Sequence, residues 1–220
     1  MKRIFAIGDI HGCNDAFQQM LFVEIKIKKQ DKIYCIGDYI DRGPESKGVI
    51  DTIISLREKG YHIHALRGNH EQMMMDSEQG EESFEQWYIN GGNTTLKSFE
   101  VDTYTAMPEK YKQFFLNTKY YISANDYIFV HAGLNFWRNN IYEDKDAMLW
   151  IRDFNPQQNV LGNKILIHGH TPKSLHYILN QKGNCINIDG GCVFNDHKNL
   201  GNLVAIALPE KGIIIVSNKK

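Results

Sequence analysis

The sequence predicts an α/β fold, and three observations support that prediction. Short apolar runs rich in Ile, Val and Tyr recur along the chain in the manner of buried strands. Between the first three runs the apolar residues recur at helical spacing, which gives a strand–helix–strand–helix–strand order and therefore parallel pairing. The last two runs are separated only by a turn at 209–212, which indicates an antiparallel hairpin.

Each element follows from a local pattern. The first helix is expected to begin at Asn14 or Asp15, because either side chain can cap it. The second is expected to open at Pro44 and to end at Gly60, the positions that these two residue types favour. Eight apolar runs are predicted as strands, at 3–7, 32–36, 61–66, 127–130, 165–167, 185–188, 203–208 and 212–216.

The stretch 71–122 differs from the rest of the chain. It is polar, rich in Glu and Gln, and dotted with aromatic residues, which predicts a helical insertion over one side of the sheet. No Pro/Ser-rich linker and no fixed-period repeat divides the chain. We therefore expect one domain over residues 1–220, a length that buries about 70% of the unfolded surface without disulfides.

Composition and charge exclude several classes of partner. Lys and Arg total 25 against 26 Asp and Glu, a net charge of -1, so no nucleic-acid partner is indicated. No apolar run approaches the roughly 18–20 residues of a membrane span, and the N-terminus is too weakly apolar for a signal segment. The four cysteines form no CxxC pair. We expect a cytoplasmic protein that has reduced thiols and no membrane partner.

Five short polar motifs each follow an apolar run. They are GDIHG at 8–12, GDYIDRG at 37–43, GNHE at 68–71, HAG at 131–133 and HGHT at 168–171. Because ligands bind at the carboxyl ends of the strands in an open α/β sheet, the motifs are expected to meet at one edge. They would bring together six donor side chains: Asp9, His11, Asp38, Asn69, His131 and His170.

This donor set predicts a metal centre. A mixture of carboxylate, amide and imidazole donors without thiolates suits divalent Mn, Fe or Zn. Six side chains exceed the needs of one catalytic ion and fit two ions about 3.5–4 Å apart that share a carboxylate. Such a centre attracts phosphate. His70 can protonate a leaving group, and Arg42 and Arg152 can bind phosphoryl oxygens in bidentate fashion.

Taken in this order, the motifs resemble those of the calcineurin-like metallophosphoesterases. GDYIDRG and GNHE are similar in particular to the PPP-type serine/threonine protein phosphatases, and GDIHGC is shared with the nearby bis(5′-nucleosyl)-tetraphosphatases. The resemblance implies two mixed β-sheets packed as a sandwich and flanked by helices. It also assigns Asp9 and His11 to one metal and Asn69, His131 and His170 to the other, with Asp38 bridging the two.

The resemblance also implies a mechanism. A metal-bound water or hydroxide would attack phosphorus in line, without a phosphoenzyme. His70, oriented by Asp41, would be the general acid, and Arg42 and Asn69 would contact the phosphate. The second phosphate-binding arginine has no equally sharp motif. Arg152 is our candidate because it lies between HAG and HGHT, and the alternatives are Lys173 and Arg138.

Three functions are weighed. We expect a phosphoserine/phosphothreonine protein phosphatase with two divalent ions, Mn²⁺ ahead of Fe or Zn. Its substrate would be a phosphorylated protein, peptide or small molecule. The alternative is hydrolysis of a dinucleotide, but the tetraphosphatases typically have Asn or Ala at the Asp41 position and Asp at the Glu71 position. A non-catalytic phosphate-binding module should have lost a donor or His70, and all are present in the sequence.

Overall fold

The computed structural model describes residues 3–219, which form two β-sheets with helices on their outer faces. No helix in this part of the chain combines the length and the apolar character that crossing a membrane requires. The strands are β1 (Ile4–Ile7), β2 (Lys32–Cys35), β3 (His62–Ala65), β4 (Tyr121–Ala124), β5 (Tyr127–Val130), β6 (Ile165–His168), β7 (Cys185–Asn187), β8 (Asn202–Leu208) and β9 (Gly212–Ser217).

The first sheet has the strand order β3-β2-β1-β8-β9. β1 pairs in parallel with β2, and β2 pairs in parallel with β3, so Ile7, Cys35 and Ala65 end their strands side by side. β8 runs antiparallel to β1 and forms a hairpin with β9. The predicted parallel strands and the predicted C-terminal hairpin are both confirmed.

The second sheet has the order β4-β5-β6-β7, with β5, β6 and β7 mutually parallel. β4 was not predicted. It pairs antiparallel with β5 across a turn in which Asn125 has a φ of 52°. Its first two residues, Tyr121 and Ile122, belong to the stretch 71–122 that is predicted to be a helical insertion. Both sheets are mixed, as the α/β sandwich requires.

Side chains on the two faces of each strand pack against different layers of the fold. In β1, Ala6 faces the second sheet while Phe5 and Ile7 face the helices, because successive strand side chains point to opposite faces. In β5, Phe129 lies between the sheets and Ile128 packs on the outer face. The order of layers is therefore helices, sheet, sheet, helices.

The helices cover the two outer faces. They are α1 (Asn14–Gln19), α2 (Ser46–Glu58), α3 (Asn69–Asp76), α4 (Glu81–Trp87), α5 (Asn93–Phe99), α6 (Glu109–Leu116), α7 (Lys145–Trp150), α8 (Gln158–Leu161) and α9 (Leu175–Asn180). π-Helical segments at Met20–Ile25 and Tyr88–Gly92 extend α1 and join α4 to α5.

The capping residue of α1 and the start of α2 differ from the expectation. α1 begins at Asn14 with Cys13 in the capping position, so the prediction that Asn14 or Asp15 caps it was wrong. Asn14 instead accepts a hydrogen bond from Thr52 of α2. α2 begins two residues after Pro44. The expectation of one domain over 1–220 with an insertion at 71–122 stays a prediction, although helices do predominate between β3 and β4.

Candidate dinuclear metal centre

The five motifs lie at one edge of the sandwich, at or within three residues of the carboxyl ends of β1, β2, β3, β5 and β6. This placement follows from the parallel pairing within each sheet, since parallel strands end on the same side. The six predicted donor side chains are all buried there: Asp9, His11, Asp38, Asn69, His131 and His170.

Asp38 lies between the two halves of the cluster. One carboxylate oxygen, Oδ2, is 3.3 Å from Nε2 of His11, and the other, Oδ1, is 3.5 Å from Nε2 of His131. Oδ1 also accepts a hydrogen bond from the backbone N–H of His70 at 3.2 Å. A carboxylate that faces both histidines is suitably placed to serve two ions.

The second half of the cluster is compact. Asn69 Oδ1 lies 2.9 Å from both His131 Nε2 and His170 Nδ1, and these two nitrogens are 3.2 Å apart. The Nδ1 atom of His131 is fixed by the carbonyl of Ile36 at 3.0 Å, which leaves Nε2 directed at the cluster. Ligand atoms of Asp38, His131 and His170 lie within 4.8 Å of one another, as a metal site requires.

The first half of the cluster is formed by His11, Asp38 and the neighbouring His70. Ligand atoms of His11, Asp38 and His70 lie within 4.8 Å of one another. His11 is oriented by the carbonyl of Ile40, 2.8 Å from its Nδ1. The carboxylate of Asp9 accepts a hydrogen bond from the backbone N–H of His170 at 3.1 Å and is not part of either compact group.

Burial and neighbouring charges shift the pKa values of the donor residues. Burial lowers the pKa of His131, and burial together with His131 lowers the pKa of His170 to about 3, a direction that favours the neutral imidazole that a metal ligand must offer. Burial opposes ionisation of Asp38, but the facing histidines outweigh it and hold its pKa well below the usual range. Burial and the charges of Asp189 and Asp38 raise the pKa of Asp9. Burial opposes protonation of His11, but Asp38 outweighs it and raises the pKa of His11. Mutually repelling carboxylates buried beside imidazole nitrogens fit divalent ions.

A buried histidine–aspartate pair lies beside the cluster. Nδ1 of His70 is 2.7 Å from Oδ2 of Asp41, and the rings of His70 and His11 meet edge to face at 4.7 Å. Asp41 also accepts hydrogen bonds from Nε1 of Trp87 at 3.0 Å and from the hydroxyl of Thr95 at 2.6 Å. The carboxylate is therefore held in one orientation, and it holds the imidazole in turn.

Arg42 lies at the exposed rim of the same site. Its Nη1 is 2.8 Å from Nε2 of His11, and its guanidinium lies 5.7 Å from the ring centroid of Phe194. Its backbone N–H donates to the carbonyl of Gly91 at 3.2 Å. The guanidinium is thus directed at the cluster from the solvent side, where a phosphate would enter.

Of the three candidates for the second phosphate-binding cation, Arg152 is the one whose charge acts on a donor residue. Its positive charge contributes, after burial and His131, to the lowered pKa of His170. Arg138 is 65% exposed and lies 3.6 Å from Asp144, away from the donor residues. Lys173 lies over the ring of Tyr177 at 5.4 Å, and its charge acts on His168.

Backbone strain concentrates at these motifs. Nine non-glycine residues in the described part of the chain have positive φ, and five of them are predicted site residues: His11, Asp38, Asp41, Arg42 and His170. Strained conformations of this kind persist where the surrounding structure enforces them, commonly at active sites. Two glycines allow the close packing: a Cβ at Gly68 would collide with the carboxylate of Asp38, and one at Gly169 with that of Asp9.

Sequence reasoning missed several supporting residues. Glu71 accepts hydrogen bonds from the backbone N–H groups of Asp38, Tyr39 and Gly68 at 2.8–2.9 Å, and so ties the β2 and β3 loops together. Its place at the third residue of α3, from which it accepts from the N–H of the N-cap Gly68, is the acidic half of a capping box, a signal that was available. No local signal marks Trp87 or Thr95, since they reach Asp41 only through the packing of α4 and α5.

Curated relatives include enzymes on two kinds of substrate. The chain is 27% identical over 220 residues to serine/threonine-protein phosphatase 1 of Salmonella typhimurium, covering 92% of each chain. It is 28% identical over 239 residues to an asymmetrical bis(5′-nucleosyl)-tetraphosphatase of Anoxybacillus flavithermus, covering 96% of this chain and 92% of the relative.

Solved structures share the fold. A putative diadenosine tetraphosphatase superposes with a TM-score of 0.69 at 20% identity, covering 98% of this chain and 93% of the other. A cold-active protein-tyrosine phosphatase of a Shewanella species superposes with a TM-score of 0.68 at 18% identity, covering 99% and 78%. The family model for calcineurin-like phosphoesterases matches residues 2–203. The chain therefore belongs to the calcineurin-like phosphoesterases, the metallophosphoesterase family that its motifs resemble.

Proposed function

We propose that this phosphoesterase hydrolyses phosphoserine and phosphothreonine in proteins or peptides. The observation that carries the proposal is the buried pair of His70 and Asp41, 2.7 Å apart beside the donor cluster. Asp41 and Glu71 are the two positions at which the sequence resembles the PPP-type protein phosphatases rather than the tetraphosphatases. Asp41 orients His70, and Glu71 holds the loop that carries Asp38.

The proposed metal ligands are the six donors named above, with Asp38 shared between two divalent ions and Mn²⁺ ahead of Fe or Zn. When bound, two such ions activate the attacking water and neutralise charge on the phosphoryl group. The carboxylates of Asp9 and Asp38 contribute two negative charges against four positive ones, so the site as a whole attracts a phosphate dianion.

The remaining roles fall to side chains of this chain. Nδ1–H of His70 donates to Asp41, and the protonated ring gives its second proton, from Nε2, to the leaving serine or threonine oxygen. Arg42 and Arg152 bind the non-bridging phosphoryl oxygens from two sides, and the amide of Asn69 donates to a third position. The proposed nucleophile is water rather than a side chain of the protein, so the hydrolysis forms no phosphoenzyme.

One experiment tests the substrate class. The metal-free protein is loaded with Mn²⁺, and kcat/KM is measured on a phosphoserine peptide, a phosphotyrosine peptide and diadenosine tetraphosphate. We expect the phosphoserine peptide to give the largest value. A larger value for diadenosine tetraphosphate would overturn the proposal. Loading with Fe²⁺ or Zn²⁺ in parallel tests the choice of metal.

Dinucleotide hydrolysis is the second candidate. The observation in its favour is the relative from Anoxybacillus flavithermus, which matches 96% of this chain at 28% identity. The same metal chemistry serves both substrates, so the features that select between them must lie outside the donor cluster.

A cytoplasmic location is also part of the proposed function, and it rests on the four free cysteines together with the sequence composition.

A further inference from the structure

A cavity of roughly 710 Å³ adjoins the donor cluster. Its wall includes His168 and Thr171, which flank the proposed ligand His170 in the chain, and Arg152, whose charge acts on His170. A volume of this size accommodates a ligand group as large as several side chains. A substrate whose phosphate lies at the cluster would therefore extend its leaving group or its flanking chain into or across the cavity.

The charged side chains of the cavity lining, which define what is here called its mouth, are mostly cations. Arg152, Lys173 and Lys182 line it against one carboxylate, Asp153. No Asp or Glu within residues 3–219 lies within 4 Å of the charged nitrogens of these three cations. The chain as a whole has a net charge of -1, so this local excess of cations is a property of the cavity rather than of the surface.

Two amide side chains of the cavity lining, those of Asn187 and Gln181, are committed to the fold. The amide of Asn187 donates to the carbonyls of Gly169 and Thr171 and accepts from the N–H of Asp189. The amide of Gln181 likewise donates to backbone carbonyls and accepts from the N–H of Asn187. Neither amide is free to pair with the edge of a nucleobase. One further group, Nδ1 of His168, is buried without a hydrogen-bond partner in the described structure.

We propose that this cavity is a charge-selecting subsite that binds an acidic side chain of a phosphopeptide close to the phosphorylated residue. The proposal deepens the proposed phosphoserine/phosphothreonine activity and rests on it. Lys173 and Lys182 form ion pairs with the incoming carboxylate at the mouth. Trp137, 86% exposed, and Tyr177, 51% exposed, offer aromatic surface at the same rim for the peptide chain.

The distance between the donor cluster and Lys173 determines which acidic positions of the peptide the subsite can bind. Lys173 is three residues from His170, so at most about 10 Å of extended chain separates them. A peptide in extended conformation advances about 3.4 Å per residue. A Glu or Asp within about three residues of the phosphoserine can therefore reach Lys173 while the phosphate is at the donor cluster.

The test compares two phosphoserine peptides that differ only in Glu or Gln at the three positions on either side. In the Mn²⁺-loaded wild-type protein at low salt, we expect kcat/KM for the Glu peptide to exceed that for the Gln peptide about tenfold. The double variant Lys173→Gln/Lys182→Gln should reduce this ratio to about 1–2, since two screened ion pairs each contribute a few-fold. A matched control, Lys29→Gln/Lys59→Gln, removes the same charge from exposed positions outside the cavity and should keep the wild-type ratio.

Further outcomes of the experiment distinguish failure of the subsite from failure of the proposed phosphoserine/phosphothreonine activity. Two results would contradict the subsite without contradicting the phosphoserine activity. One is equal kcat/KM values for the Glu and Gln peptides in the wild type, and the other is an unchanged Glu-to-Gln ratio of kcat/KM in Lys173→Gln/Lys182→Gln. Hydrolysis of p-nitrophenyl phosphate without hydrolysis of either peptide would overturn the proposed function itself. If diadenosine tetraphosphate exceeds both peptides in kcat/KM and loses that advantage in the double variant, the cavity selects a nucleotide and the peptide proposal fails.

Discussion

The donor cluster and the cavity beside it share the segment 168–171, yet they are built in opposite ways. In the cluster each functional side chain is buried and held by another group, as Asp41 holds His70 and the carbonyl of Ile36 holds His131. In the cavity Arg152 and Lys182 are exposed, Lys173 is half-buried over the ring of Tyr177, and none of the three has a carboxylate partner among residues 3–219. Rigid, mutually anchored groups suit the phosphoryl chemistry common to the family, whereas cations without a carboxylate partner suit the choice among substrates.

The largest effect on the donor cluster, as distinct from the cavity, is expected from removal of the Asp38 carboxylate, which the two proposed ions share. Asp38→Asn removes the shared anionic ligand and leaves Asp9 as the remaining proposed carboxylate ligand, so we expect loss of at least one ion and a fall in kcat/KM of at least about 10⁴-fold. Elemental analysis of the purified protein, alongside turnover of a phosphoserine peptide, measures both effects. Asp153→Asn, which removes a carboxylate from the cavity, is the matched control and should retain both ions. Two ions at full occupancy in Asp38→Asn would show that the bridging role is wrong.

Next in size is the loss of the proton donor. His70→Asn should keep both ions but lower kcat by roughly 10²–10⁴-fold, the range associated with a positioned general acid. The fall should shrink for p-nitrophenyl phosphate, whose leaving group needs no proton. His62→Asn, at an exposed position of β3, controls for the general loss of an imidazole. Wild-type turnover of the phosphopeptide by His70→Asn would remove His70 from the acid role.

The elements that the sequence predicted share a physical property. Strands such as β1, β2 and β5 are buried on both faces, so their apolar runs are continuous, and the polar motif that follows each run marks the strand end. β4 was missed because it lies at the edge of its sheet, where three of its residues are half-buried and Ser123 is exposed. A half-exposed edge strand has no continuous apolar run to recognise.

The candidate site divides in the same way. Asp9, Asp38 and His131 are predictable because each follows a strand within two or three residues. Trp87 and Thr95 are not, since they lie 46 and 54 residues from Asp41 and reach it only when α4 and α5 pack over the edge of the sheet. Their position depends on tertiary packing, which no local spacing records.

Arg152 lies where the cluster and the cavity meet, and its removal should affect binding more than chemistry. A charge-assisted hydrogen bond to phosphate contributes about 1.5–3 kcal/mol, so Arg152→Ala should raise KM for a phosphoserine peptide roughly 10–100-fold with a smaller change in kcat. Steady-state kinetics on one peptide measures the two parameters separately. Arg138→Ala removes the same charge from an exposed position beside Asp144 and should leave KM unchanged. The reverse pattern would assign the second phosphate contact to Arg138, and no effect from either variant would point to Lys173.

The smallest expected effect tests whether the anchoring of the cluster itself matters. Trp87→Phe keeps a large buried ring but removes the Nε1–H that donates to Asp41 at 3.0 Å, while the hydrogen bond from Thr95 remains. Because Asp41 acts only through His70, we expect kcat to fall about 3–10-fold with KM and metal content unchanged. Tyr88→Phe, which alters the exposed neighbouring ring, is the control. If Trp87 has only a structural role, Trp87→Phe should instead lower the melting temperature or the metal content and leave kcat per bound metal at the wild-type value. In that case the hydrogen bond from Thr95 would be the one that orients Asp41 for catalysis.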